Sequence, residues 1–398
     1  MNNNFSTTPT KQGYFFSQPH QSFFLFGVLW AIIVMLQFAL SYKGILVLTV
    51  SPIAFHAYSL IFIVFTQFFT GFIFTTFPRF CQSPVIERAV YTRIFFILQT
   101  GALLFVVGAI FDATVATSGM LLLFIANGLI IHQLQKIYNA GAMTQNSSDP
   151  FWILTGFYFG MVSHLLWLID AVSNIGLTPL ATQFGFLLYL IFVGFAIAQR
   201  MVPFFSHSFA EKDQRFVPVV LFLFILKSFL ISIDLLWLEI TVDLLLSLYL
   251  FREFKNWQLP IFSSPAILWV LHLALFWLPT AFFLGALGNI AVALGAPSAY
   301  FLQIHLLAIG FLTTLLIGFG TRVTLGHSGQ PPHADRLVTN LFWFIQAVVV
   351  IRGIYSLQLM GDLSLNWFFD LSFTAWLILF IVWAWRYGPV LYRGKKIE

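Results

Sequence analysis

Apolar positions in this chain come in long unbroken runs, separated by short polar stretches. Twelve runs reach helical length: 22–41, 57–77, 92–111, 117–137, 152–173, 180–198, 216–236, 238–252, 266–287, 300–320, 337–354 and 368–387. A helix crosses the hydrocarbon of a bilayer in about 20 residues, and about 17 suffice at the short end. The runs are continuous rather than alternating, which argues against the strands of a membrane β-barrel. The expected fold is an all-α, polytopic membrane helix bundle of about twelve helices. One transmembrane domain covers 22–387, between an N-terminal tail at 1–21 and a basic tail at 388–398. The seventh and eighth runs are the weakest, because they hold Lys227, Asp234, Glu239 and Asp243. They fit a shallow hairpin as well as two crossings.

Composition supports this. Of 398 residues, 60% are apolar and only 8% are charged, against about 25% in soluble domains. So few charges could not cover a soluble surface of this size. The cations also alternate with the spans. With twelve crossings, 16 of 19 Lys and Arg fall on the side of the termini; Lys43 and Arg352 fall on the other, and Lys227 lies inside a span. The positive-inside rule then makes both termini cytoplasmic. The net charge of +5 is thus explained by topology, and no nucleic-acid partner is implied. The single cysteine, Cys81, excludes a disulfide or a thiolate cluster within one chain. It reads as inert. The first 20 residues lack the basic start and small-residue cleavage site of a signal peptide, so the first run is expected to stay as an anchor.

Polar residues inside the runs carry the chemistry. Stepping by three or four from His56 gives Ser59, Thr66, Gln67, Thr70, Gly71, Thr75 and Pro78, a small and polar stripe on one helix face. Such stripes commonly serve helix packing, but an imidazole heads this one. His164 is the most deeply placed imidazole. His272 lies near the start of the ninth run. The stretch from 299 to 331 carries His305 at one end and Arg322 and His327 at the other. From His305 to Gly320 is about 22 Å of helix, so His305 and His327 belong to two sites unless the loop folds back. His132 reads as interfacial. Trp343, Trp376, Trp383 and Trp385 read as lipid-facing or interfacial anchors.

No phosphate loop, nucleophile elbow or HExxH motif is present. Neutral nitrogen ligands are spread over several helices instead: His56, His164, His272 and His305, with His327 at the membrane edge. Imidazoles from facing helices suit haem iron or copper. Arg79, Arg200 and Arg322, all expected on the cytoplasmic side, would suit haem propionates. A twelve-helix plan is also common among transporters of small solutes or metal complexes, though only fold-level analogy supports that.

Three segments resemble one family. FFSQPHQSFFLFGVLWA and FHAYSLIFIVFTQFFTGFIFTTFPRF are similar to the first two spans of NnrS proteins. HLLAIGFLTTLLIGFGTRVTLGHSGQP is the fullest match, and AQRMVPFF is a further one. The resemblance implies a multi-pass protein of the bacterial inner membrane that carries haem b and copper. It also implies a role in the response to nitric oxide and reactive nitrogen, tied to denitrification. It puts His56, His305 and His327 at motif positions. With His164 and His272 added from their placement inside apolar runs, the expected metal ligands are His56, His164, His272, His305 and His327. His56, His272, His305, Arg200 and Arg322 are the expected cofactor-binding set, with lipid and nitric oxide as partners. Two departures stand out. Ala57, Tyr58, Ser59 and Leu60 follow His56 where an acidic residue is expected, and Gln330 stands where Arg is common.

Overall fold

The computed structural model describes residues 13–142, 148–208, 210, 213–297, 300–360 and 367–397. Residues 1–12 of the expected N-terminal tail lie outside the described residues, as do Lys212 and Glu398. Among the described residues every long element is a helix, and we number these α1 to α12. They are α1 (Pro19–Tyr42), α2 (Pro52–Phe80), α3 (Arg88–Phe111), α4 (Ala113–Ala140), α5 (Asp149–Ser173), α6 (Thr178–Phe205), α7 (Phe216–Ser232), α8 (Leu236–Asn256), α9 (Ala266–Ala293), α10 (Phe301–His327), α11 (Arg336–Met360) and α12 (Trp367–Arg393). In lipid a backbone must satisfy its own polar groups, and a helix does so within one segment.

Ten of these helices are long and apolar enough to cross a membrane. The other two are α7, an apolar helix of 17 residues, and α8, which carries several charges. These are the two weak runs of the sequence. Three of those charges are paired within the bundle. Lys227 Nζ lies 2.8 Å and 2.9 Å from the two carboxylate oxygens of Asp243 and 2.9 Å from Glu239 Oε1. Asn289 of α9 donates to the same Glu239 oxygen at 3.0 Å. The three charges thus sit on α7 and α8 with their partners supplied.

The helices divide into a centre and a ring. The most apolar stretch is 89% buried in α2, 78% in α6 and 72% in α10, against 39–61% in the other nominated spans. The central helices are the second, sixth and tenth, so each successive group of four places its second helix at the axis. Each of the three also contains a π-helical stretch: Leu60–Phe65, Phe184–Ile191 and Leu306–Thr313. These wider turns are adjacent across α2, α6 and α10.

Lipid gives helices no hydrophobic drive to associate, so close packing and hydrogen bonds hold them. α3 and α4 meet through Gly108 and Gly119. A Cβ at Gly108 would stand 2.2 Å from the Ala116 nitrogen, and one at Gly119 would stand 2.4 Å from the Phe105 nitrogen. The expected stripe on α2 also packs. Gly71 lies against Phe23 and Phe24 of α1, and Gln67 accepts from Gln99 of α3 at 3.2 Å. Trp30 of α1 donates to the same Gln99 at 2.7 Å. Two tryptophans expected at the lipid interface are inside instead. Trp383 is fully buried and donates to Thr321 of α10 at 3.1 Å, and Trp376 is buried as well. Trp343 and Trp385 are exposed, as expected.

Candidate functional site

A cavity of about 450 Å³ lies at the end of the bundle where α2, α6, α10 and α12 begin and α11 ends. That volume falls within the roughly 300–1,000 Å³ of small-molecule and cofactor sites. Its walls are largely aromatic and aliphatic, with Phe38, Trp167, Phe186, Phe369 and Trp376 among them. Three nitrogen side chains share the lining: His56 from α2, His305 from α10 and Arg352 from α11. The wider turns border it too, through Leu60, Ile61 and Phe65 of α2, Phe186 and Leu190 of α6, and Ala308 and Ile309 of α10. A π turn adds a residue per turn and recurs at functional sites.

Threonines hold these turns. Thr66 donates to the Ile61 carbonyl at 2.8 Å, Thr313 to Ala308 at 2.8 Å, and Thr314 to Ile309 at 3.1 Å. Each bond reaches five residues back, where the widened turn leaves a carbonyl short of its usual partner. Thr66 also meets the Tyr189 hydroxyl at 3.0 Å, which ties the π stretch of α2 to that of α6.

His305 is held at both nitrogens. Nδ1 lies 2.6 Å from the Phe301 carbonyl, and Nε2 lies 2.9 Å from Arg352 Nη2. A carbonyl only accepts and a guanidinium only donates. Nδ1 therefore carries the proton, and Nε2 presents its lone pair. A backbone-anchored Nδ1–H with Nε2 turned to a ligand is the usual arrangement of a metal-binding histidine. His56 stacks on Phe38 with ring centroids 4.2 Å apart, and no hydrogen bond to its ring is seen among the described residues. Arg352 sits 4.7 Å from the Tyr355 ring centroid, and its Nη1 is buried without a partner among the described residues. The sequence counted Arg352 only as a cation on the side opposite the termini. It lies within α11, on the cavity wall.

The other expected ligands lie elsewhere. His164 is fully buried in α5 and satisfied at both nitrogens, by the Tyr58 hydroxyl at 2.7 Å and the Asn127 amide at 2.9 Å. It stacks on Phe62 at 4.1 Å. This is a histidine used in packing, and the structure does not bring it to the cavity. His272 of α9 meets Ser206 at 2.7 Å through Nε2, and its Nδ1 is buried without a partner among the described residues. It belongs to the opposite end of the bundle. Arg200 already holds a carboxylate, Asp149, at 2.6 Å, and Gln199 donates to the same group at 2.7 Å. Arg322 lies over the Phe205 ring at 3.9 Å. Arg200 and Arg322 are both remote from the cavity. The cation that accompanies His56 and His305 is Arg352.

His327 ends α10, about 33 Å of helix from His305. It faces His20 of α1 there, with ring centroids 4.9 Å apart. Between the two ends lies a narrow apolar gap along the same central helices, lined by Phe24, Phe68, Leu312, Leu316 and Phe319 among others. Cys81, just past α2, is buried and unpaired, and burial pushes its thiol up to about 11. A protonated, enclosed thiol is a poor nucleophile and ligand, which agrees with its expected inertness.

Sequence reasoning missed three parts of this arrangement. The threonines at the π turns left a faint signal as polar residues in apolar runs. Arg352 looked like a topogenic cation. His20 stood in a polar segment ahead of the first apolar run. The model of the NnrS protein family matches residues 14–395 of the chain. No curated protein matches it.

Proposed function

Since the chain belongs to the NnrS family, a family of membrane proteins, we propose that it binds haem in the cavity lined by His56, His305 and Arg352 and acts in the response to nitric oxide. The observation that carries this reading is the state of His305. Its Nδ1–H is anchored to a backbone carbonyl, and its Nε2 lone pair faces Arg352. The donor set fits a haem: two neutral imidazoles on facing helices, flat aromatic walls, and one guanidinium with an unused N–H. His305 and His56 are the imidazoles that would hold the iron, one of them giving way to nitric oxide. Arg352 would release Nε2 and turn to a carboxylate of the bound group, since a planar guanidinium suits a carboxylate. The haem itself would supply the iron that meets nitric oxide. The chain's own contribution is to keep that region apolar and to hold His305 in one tautomer.

Taking all twelve helices as crossings of a bacterial inner membrane, we read the 16-to-2 cation bias as support for termini on the cytoplasmic side. The cavity then faces the periplasmic half. The transporter alternative has no residue-level support here. The buried Asp243 and the half-buried Glu239 are both engaged by Lys227, whereas proton-driven transport usually runs through carboxylate relays.

Protein purified from membranes should show a haem absorption band. His305→Ala and His56→Ala should each lower haem content, while His272→Ala should leave it unchanged. Haem-free wild-type protein, or haem unaffected by both cavity variants, would sink the proposal.

A further inference from the structure

Past the cavity, the three central helices do not close completely. A gap of about 30 Å³ runs along α2, α6 and α10, with Phe24 of α1 on one side. It starts where the cavity stops. Phe65 of α2 and Ile309 of α10 line the cavity, while Phe68 and Leu312, about 4.5 Å further along each helix, line the gap. Every residue that lines it is Phe, Leu, Ile or Gly. The threonines at this level are turned to their own helices. Thr66, Thr70 and Thr314 donate to backbone carbonyls at 2.8, 2.7 and 3.1 Å. None of these hydroxyls is left to hold a water. Gly320 keeps the far end clear, since a Cβ there would meet Trp383 at 3.4 Å and Phe24 at 4.0 Å, both ordinary contacts.

Size and polarity together select an occupant. A water needs about 10–15 Å³ of such space and about 2–4 polar partners. The space is present and the partners are not, so water gains nothing by entering. Apolar cavities stay dry and take up uncharged guests such as xenon. Sites for larger ligands run from about 300 Å³, and a charged guest would need a partner that this lining lacks. A small uncharged molecule meets both conditions. It also restores dispersion contacts that side chains lose across a void. We propose that the gap is a holding site for a diatomic gas, less than one helical turn from the cavity. That the gas is nitric oxide rests on the function proposed above; that an uncharged gas binds there does not.

The test uses crystals of full-length protein purified from membranes, pressurised with xenon and measured for anomalous scattering. Wild-type protein should show a xenon peak between Phe68, Leu312 and Gly320. Gly320→Val places methyl groups in the gap and should lose that peak. Leu316→Ala enlarges the gap and should raise the occupancy, which separates a filled site from a misfolded chain. In haem-loaded protein, xenon should reduce the fraction of photolysed nitric oxide recaptured from within the protein, and Gly320→Val should abolish that effect. No xenon in the wild-type gap, ordered water there, or a full peak in Gly320→Val would overturn the site. Recapture indifferent to xenon would overturn nitric oxide as its occupant. Xenon bound by protein that never holds haem would support the gas site while refuting the haem reading, so the two fail separately.

Discussion

Arg352 of α11 donates from Nη2 to Nε2 of His305 on α10 at 2.9 Å. The partner bond from His305 Nδ1 to the Phe301 carbonyl, at 2.6 Å, fixes which nitrogen holds the proton. One cation thus occupies the lone pair that a metal would need, in a cavity otherwise lined mostly by apolar groups. A metal that bound His305 through Nε2 would first have to displace Arg352.

Arg352→Gln should therefore separate two roles. If Arg352 pairs with a carboxylate of the bound group, the variant loses part of a charged hydrogen bond, worth about 1.5–3 kcal/mol, or roughly ten- to a hundredfold in affinity. Arg352→Lys keeps the charge and should lose less. Haem titration of stripped protein checks this, and equal affinity in all three proteins would remove Arg352 from the site.

His164 offers a contrast with His305. Its nitrogens are taken by Tyr58 and Asn127, so His164→Leu should strand both partners. The cost should be about 1–3 kcal/mol per stranded buried group, read as a lower unfolding temperature in detergent. Haem content per folded protein should not change. A selective loss of haem in His164→Leu would return this histidine to the ligand set.

The π turn of α10 rests on Thr313 and Thr314. Replacing both by Val keeps the side-chain shape and removes two hydroxyls that serve buried carbonyls. The variant should be destabilised by about 1–3 kcal/mol per bond. Ala308 and Ile309 line the cavity, so ligand affinity should fall too. Full stability and full affinity together would show that the turn holds without them.

Lys227 is 3% exposed at its side chain and bridges Glu239 and a fully buried Asp243. Lys227→Met leaves two carboxylates inside the bundle without a cation. Breaking a buried pair from one side typically costs about 3–5 kcal/mol. Adding Asp243→Asn and Glu239→Gln should recover most of the loss, because no buried charge then remains. Detergent unfolding of the single and triple variants measures the difference. An unperturbed single variant would mean the cluster is solvated.

The raised thiol pKa of Cys81 gives a pH test. The group is neutral below about 11, and only its thiolate reacts readily. Folded protein should resist maleimide labelling at neutral pH, and unfolding in detergent should expose the thiol to rapid reaction. Fast labelling of the folded protein at pH 7 would contradict its enclosure.

The all-helical fold was legible because lipid leaves few choices. A backbone that cannot bond to water must bond to itself, so long apolar runs read directly as helices. The twelve runs correspond to the twelve helices, and the family likeness followed from the motifs at 299–331 and 52–80. Residue type alone also marked His56 and His305 as unusual, since an imidazole in hydrocarbon is expensive. Partnership was not legible. A helix period says which face a residue shares, and nothing about which helix will meet that face. His164 and His305 look alike in the sequence; contacts from α2 and α4 fill the first, while α11 leaves the second beside a cavity. Arg352 counted only as a topogenic cation until α11 packed beside α10, and His20 had no meaning until α10 brought His327 against it. Those pairings cross from 47 to 307 positions of chain, a range over which only the packing of one helix on another decides who the neighbour is.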